Sequence, residues 1–242
     1  EWVKAQNAVT NAYLQKIPFR QKIVDRLTEI WNYPRYRTPV KKGDKYYFRK
    51  NDGLQNQDVL YVMTGEDGKP EVLLDPNTLS DDGTVALSSW DISKDGRYLG
   101  YLIARAGSDW QEIFVMDLET RNTLDDHIRW VKFSGISWKG DGFFYSSYDP
   151  PAEGEELSDV NEYHKVYYHE IGAPQEEDIL IYENKEYPKR NYYVGTTEDE
   201  RFLVMSEVES TSGNALYFKD LGSKRSDFVK LAEGFEYDYG VI

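Results

Sequence analysis

Ser93-Lys94-Asp95-Gly96-Arg97-Tyr98-Leu99, followed after a polar stretch by Ile113-Phe114-Val115-Met116-Asp117-Leu118, is the passage that decides the fold. It reads as a tight turn, an apolar strand, a loop, and a second strand ending in Asp-Leu. Asp-Gly supplies the positive-φ positions that short hairpins need. The same unit returns three more times. Upstream it is Gly43-Asp44-Lys45-Tyr46-Tyr47-Phe48 with Val59-Leu60-Tyr61-Val62. Downstream it is Trp138-Lys139-Gly140-Asp141-Gly142-Phe143-Phe144-Tyr145 with Val166-Tyr167-Tyr168-His169. The last copy is Thr197-Glu198-Asp199-Glu200-Arg201-Phe202-Leu203-Val204 with Ala215-Leu216-Tyr217-Phe218-Lys219-Asp220-Leu221. The repeat length, roughly 45 to 60 residues, is that of four-stranded propeller blades. A small twisted sheet cannot bury both faces alone, and stacking on its neighbours explains the repetition. The expected fold is therefore all-β, a partial propeller of about four blades. A β-sandwich with hairpins at similar intervals is the alternative, and recurrence at blade length speaks against it.

Before the repeats the periodicity is helical. Trp2, Ala5, Val9 and Ala12 to Tyr13 recur at steps of three and four, which places them on one helix face. Pro18 breaks that pattern. A second helix is predicted from about Arg20 to Trp31, with Ile23, Leu27, Ile30 and Trp31 as its apolar stripe and Lys22, Asp25, Arg26 and Glu29 towards water. Pro34 and Pro39 end the helical region. The division expected is a helical segment over 1–36 and a partial propeller over 37–242. Its blades fall at about 37–88, 89–131, 132–188 and 189–235, and a fifth would start before Ile242. The longest polar interruption, 150–163, carries Glu153, Glu155, Glu156, Asp159 and Glu162 and predicts an exposed, mobile loop.

Composition narrows the function classes. Aromatics make up 15% of the chain, with 20 tyrosines, which suits pleated, half-buried surfaces. The net charge of −14, with no long Lys/Arg stripe, argues against nucleic acid and against an anionic membrane surface. It favours solubility or the attraction of cationic ligands. With no cysteine, disulfides, thiolate zinc sites and a Cys nucleophile are excluded, and a reducing cytoplasm is the expected compartment. The chain starts at Glu1 rather than Met; a secretory signal upstream would place it in the periplasm instead. No apolar run is long enough to span a bilayer.

No catalytic motif stands in the sequence. His127, His164 and His169 form no H-E-x-x-H pair, and His169, in a predicted strand beside Tyr168, reads as structural. The nearest approach to a nucleophile elbow, Gly135-Ile136-Ser137-Trp138-Lys139-Gly140, has its second glycine one residue late and opens a strand rather than a helix. There is no phosphate-binding loop. No cofactor, no metal and no catalytic residue are expected. On chemistry alone this is a binding or scaffolding domain.

Several long words go further. Trp2-Val3-Lys4-Ala5-Gln6-Asn7, Tyr33-Pro34-Arg35-Tyr36, Lys41-Lys42-Gly43-Asp44-Lys45-Tyr46-Tyr47 and Gly53-Leu54-Gln55-Asn56-Gln57-Asp58-Val59-Leu60-Tyr61-Val62 occur in order. Leu74-Asp75-Pro76-Asn77-Thr78-Leu79-Ser80-Asp81-Asp82-Gly83-Thr84-Val85-Ala86-Leu87 is the strongest, and Gly107-Ser108-Asp109-Trp110 and Val131-Lys132-Phe133-Ser134 continue the series. Together they resemble the start of the prolyl oligopeptidases, most tightly from Tyr33 to Tyr148. The resemblance implies a seven-bladed propeller covering an α/β-hydrolase domain that carries Ser, Asp and His in that chain order. In such an enzyme Ser attacks the carbonyl after proline, His moves the proton and Asp orients His. The propeller admits only short peptides. The regions that hold the triad in this family lie outside this chain, so the fragment alone is expected to be inactive.

The resemblance also implies binding residues. Phe133 would line the pocket for the substrate residue two places before proline; the alternative is an ordinary blade-packing aromatic. Asp109 would be a carboxylate at the mouth of the active site; the alternative is a plain hairpin residue. The family's pocket Met, Arg and Cys fall on Asn191, Val208 and Thr211, which implies a less apolar wall and one cation fewer for a peptide carboxylate. The expected partners are short proline-containing peptides and the hydrolase domain. A propeller module that binds a peptide or protein without catalysis is the other reading.

Overall fold

The computed structural model describes residues 1–223 and 227–241. Residues 224–226 of the expected fourth blade and Ile242, near the expected start of a fifth, lie outside them. Among the described residues two helices, α1 (Trp2–Leu14) and α2 (Arg20–Trp31), precede seventeen strands.

The strands form four consecutive blades. The first holds β2 (Val40–Lys42), β3 (Lys45–Asn51), β4 (Val59–Thr64) and β5 (Glu71–Leu74), with the two-residue β1 (Arg35–Tyr36) beside the end of β3. The second holds β6 (Ala86–Ile92), β7 (Tyr98–Ala104), β8 (Gln111–Asp117) and β9 (Thr123–Val131). The third holds β10 (Ser137–Lys139), β11 (Gly142–Ser147), β12 (Lys165–Glu170) and β13 (Ile179–Tyr182). The fourth holds β14 (Asn191–Thr196), β15 (Phe202–Val208), β16 (Ala215–Asp220) and β17 (Val229–Ala232). Every pairing within a blade is antiparallel, and all but that of β1 with β3 join chain neighbours. A single pairing of Ser147 with Val131 joins the second and third blades at one corner. The boundary expected at 88/89 falls inside β6, because the inner strand starts as soon as the Asp82–Thr84 turn closes.

The turns explain the repeat. Gly43, Gly96 and Gly140 adopt φ of 60°, 74° and 56° in the hairpin between the first and second strands of their blades, and Glu200 takes φ 56° in the fourth. In the second blade Asp95 accepts from Ser93 Oγ and from Arg97 N; in the fourth, Asp199 accepts from Thr197 Oγ1 and from Arg201 N. These Asp-centred hydrogen bonds fix both turns, beside Gly96 in the second blade and without a glycine in the fourth. Asp117 and Asp220, from the two Asp-Leu words, accept from backbone N–H groups in the outer turns.

The core is divided between blades, as stacking requires. One apolar cluster joins Tyr47, Leu60 and Val62 of the first blade to Ile92, Leu99 and Met116 of the second. A second joins Leu102, Ile113 and Ile128 to Trp138, Phe143 and Tyr145. A third joins Val166 of the third blade to Tyr192 and Met205 of the fourth. At the second seam Gly100 permits close approach: a Cβ there would sit 2.7 Å from Ile136 Cδ1 and 3.0 Å from Trp138.

The helices contrast with this. No residue of α1 or α2 is buried, and the stripe read from the sequence lies open, with Ile23, Leu27 and Trp31 each about half exposed. Arg35 ties the end of α2 to the first blade, donating to Trp31 O and to Gly53 O at 2.9 Å. No helix among the described residues is long and apolar enough to cross a membrane.

Candidate functional site

Alternating strand direction puts the loops after β7, β9, β11, β13 and β15 on one face of the blades. All five residues expected to bind substrate lie on that face, and four of them are connected through one another's neighbours. Phe133 and Asp109, 24 residues apart in sequence, line one open cavity of about 530 Å³ with Ser108, Gln111, Ser134 and Tyr193. Asn191 and Val208 face each other as register partners at the ends of β14 and β15. Tyr148 connects the two pairs: its ring meets Phe133 edge-on at 6.5 Å and its hydroxyl donates to Asn191 Oδ1. Thr211 stands apart, exposed in the β15–β16 hairpin, with no side-chain hydrogen bond to the others among the described residues.

Phe133 is presented, not packed. It belongs to none of the three apolar clusters and is 41% exposed, so the blade-packing alternative does not describe its position. Its φ of 53° is left-handed, which costs a bulky residue on the order of 1–3 kcal/mol and persists only where neighbours dictate it. The neighbours do so here. His164 Nε2 bonds Lys132 O at 3.0 Å, while Ser134 Oγ bonds Gly135 O and receives Ser146 N, both at 2.8 Å. The chain is held on both sides of Phe133, and its ring is directed outward.

Lys132 organises the charge. Though only 8% exposed, it places its ammonium 3.9 Å from Asp109, 5.0 Å from the centre of the Trp110 ring and 5.5 Å from that of Phe133. Asp109 is largely solvated, so this ion pair adds little stability. Its effect is local: a cation shared by two aromatic faces and one carboxylate at the rim. Burial pushes the Tyr148 hydroxyl well above its ordinary pKa, so it remains a hydrogen-bond donor at neutral pH.

Lys132, Trp110 and Tyr148 are the residues that sequence reasoning missed. Lys132 and Trp110 lay inside the quoted words, beside the residues chosen. Tyr148 had no local signal, since its role depends on the fourth blade.

Two histidines brace this region. His164 is buried; Tyr192 N donates to its Nδ1 at 2.9 Å, so Nε2 carries the proton and donates to Lys132 O. Burial lowers its pKa to about 4. His169 lies between Asp126 of the second blade and Asp178 of the third, at 2.9 and 2.6 Å. Burial disfavours its charge, but the two carboxylates outweigh burial and raise its pKa to about 9. Gly172 N donates to the same Asp126 oxygen that His169 bonds, and Tyr145 Oη donates to the second oxygen of Asp178. Among the described residues no cluster of three or more His, Asp or Glu side chains is arranged to hold a metal ion.

The chain matches the family model described as prolyl oligopeptidase, N-terminal beta-propeller domain, over residues 1–242. It is 47% identical to a prolyl endopeptidase of Elizabethkingia miricola over all of this chain and 34% of that protein. A prolyl endopeptidase of Elizabethkingia meningoseptica is 46% identical over 99% of this chain and again 34% of its own length. A solved prolyl endopeptidase structure superposes with a TM-score of 0.77 at 32% identity, covering 97% of this chain and 34% of that one. Prolyl oligopeptidase B of Galerina marginata, solved with a hydrolysis and macrocyclization substrate, superposes with a TM-score of 0.87 at 27% identity, covering 100% and 37%. The chain thus spans about a third of the length of these relatives, and it carries the repeats, the turns and the rim residues described above. It belongs to the prolyl oligopeptidase family, as its N-terminal β-propeller domain.

Proposed function

We propose that this chain is the gating propeller portion of a proline-specific serine oligopeptidase that cleaves short peptides after proline, acting with a hydrolase domain that carries Ser, Asp and His. The observation that carries this reading is the presentation of Phe133: left-handed, braced on both sides, and exposed beside Lys132 and Asp109 on one face. An aromatic so held is a wall for an apolar side chain of a peptide. The propeller's part is to bind and orient the substrate and to exclude longer chains and bulk water, while the hydrolase domain does the chemistry. The open apolar stripe of α2, with Ile23, Leu27 and Trp31, is the surface that packs on that domain. The absence of cysteine supports a cytoplasmic location.

The test is Phe133→Ala in the full-length enzyme, assayed on two peptides that differ two places before proline, one with a large apolar residue and one with glycine. Loss of the wall weakens the first by about 1–2 kcal/mol and hardly affects the second. A wall that acts equally in ground and transition states shows this in KM with kcat retained. An unchanged ratio between the two peptides, with a lowered melting temperature, refutes the assignment.

A further inference from the structure

A second cavity of about 480 Å³ opens at the outer rim of the second blade, lined by Arg105, Trp110, Glu112, His127, Arg129 and Trp130 among others. A β-bulge makes it. Gln111 pairs with Val131 and Ile113 with Ile128, so Glu112 alone opposes both Arg129 and Trp130. In a regular strand these two neighbours would point to opposite faces. The extra residue, with Trp130 at φ 61°, brings both side chains to the same cavity. Ser147 Oγ and Tyr148 N both donate to Trp130 O, at 2.7 and 3.4 Å, and hold the strained conformation. Backbone strain of this kind, over-determined by its surroundings, is a feature of ligand clamps.

The groups facing the cavity define the ligand. The Trp130 and Trp110 rings meet at 89° with centroids 5.5 Å apart, which leaves an L-shaped aromatic corner. The Trp110 Nε1–H donates to Glu156 O of the 150–163 loop at 2.7 Å. Glu112 is occupied by Arg105 at 2.7 Å and by His127, and these partners outweigh burial to hold its carboxyl below the ordinary range. Arg129 is different. Gln175 bonds its backbone N–H and C=O, each at 3.0 Å, and no carboxylate lies within ion-pair distance of its guanidinium among the described residues. One free guanidinium beside an aromatic corner suits a carboxylate attached to an apolar group.

We propose that the bulged end of β9 forms a binding site, through Arg129, Trp130 and Trp110, for a peptide carboxylate adjacent to an apolar side chain. The carboxylate can be a peptide's C-terminus or an acidic side chain next to an apolar residue. The site stands whether or not the chain gates a peptidase: Arg129 and Trp130 are not among the residues assigned to the substrate rim, and Trp110 alone is shared with it, through Lys132.

The experiment titrates the protein with N-acetylphenylalanine, N-acetylphenylalaninamide and N-acetyl-Phe-Glu-amide, following the Trp110 and Trp130 indole N–H signals by NMR. The acid is expected to bind about ten-fold tighter than its amide, as a charge-assisted hydrogen bond requires. Arg129→Gln, a change at an exposed position, should reduce the acid to the affinity of the amide. Trp130→Asn, which tolerates left-handed backbone, should weaken both. Binding of the Phe-Glu amide as tight as that of the acid assigns the site to acidic side chains; weaker binding assigns it to C-termini. If none of the compounds shifts the two indole signals, if acid and amide bind alike, or if Arg129→Gln leaves their difference intact, the proposal is overturned.

Discussion

Replacing His169 by glutamine tests the electrostatic clamp between the second and third blades. His169 is fully buried and bonded to Asp126 and Asp178, each from a different blade. Its pKa of about 9 lies above the ordinary 6.5 of an exposed or unfolded histidine. A shift of that size corresponds to about 3 kcal/mol of preference for the folded, charged form. Because the folded pKa is the higher one, this stabilisation is fully present below pH 6.5 and is lost as pH rises through about 9. Asp126 has the opposite sense: its folded pKa is depressed, so its contribution holds above the ordinary carboxylate range and fades as pH falls. The clamp is therefore strongest between the two limits. A glutamine amide cannot supply the positive charge, and two carboxylates left facing each other are costly. Thermal unfolding of the protein and of His169→Gln should differ by roughly 6–12 °C near pH 6, at about 2–4 °C per kcal/mol for a chain of this size. The difference should shrink steadily up to pH 10. A difference as large at pH 10 as at pH 6, or a His169 ring signal that titrates near 6.5 by NMR, would refute the reasoning.

The other expectations concern different parts of the chain. His164, neutral and buried, should show no NMR titration between pH 5 and 8; since its folded pKa of about 4 lies below 6.5, its contribution to stability is lost only as the medium is acidified below 6.5. A Glu-specific protease should nick the 153–162 stretch first, since residues 153–160 are exposed, and resistance there while other loops are cut would count against its mobility. The chain by itself should neither hydrolyse a proline-containing chromogenic peptide nor react with a fluorophosphonate; labelling by that probe would mean a nucleophile had been overlooked.

The blade architecture was legible because each blade repeats its own turn chemistry. Ser93-x-Asp95 and Thr197-x-Asp199 are the same hydrogen-bonded device, and the Asp-Leu words mark the outer turns. The helices were legible from period alone, down to the limits of α2 at Arg20 and Trp31. What the repeat left out was the inner strand of each blade. β10 is three residues long and β6 starts ahead of the expected boundary, and neither carries a long alternating pattern. Such strands are defined by what stacks on them, as Gly100 against Ile136 and Trp138 shows, and that information lies in the neighbouring blade.

The rim followed a different logic. Phe133 and Asp109 could be named because they sit in recognisable words, but what makes Phe133 a wall is its left-handed backbone, and nothing in Val131-Lys132-Phe133-Ser134 announces that. The conformation is imposed from outside, by His164 after a long loop and by Ser146 from β11. Trp130, three residues earlier, is imposed in the same way by Ser147 and Tyr148. Two aromatics with positive φ within four residues, both clamped by the third blade, mean that the second blade's binding groups are set only when the third is stacked on it. Stacking is thus a condition of recognition as well as of stability. The His169 clamp holds that same seam, so loosening it should change the environment of Phe133 and Trp130 before the blades themselves unfold.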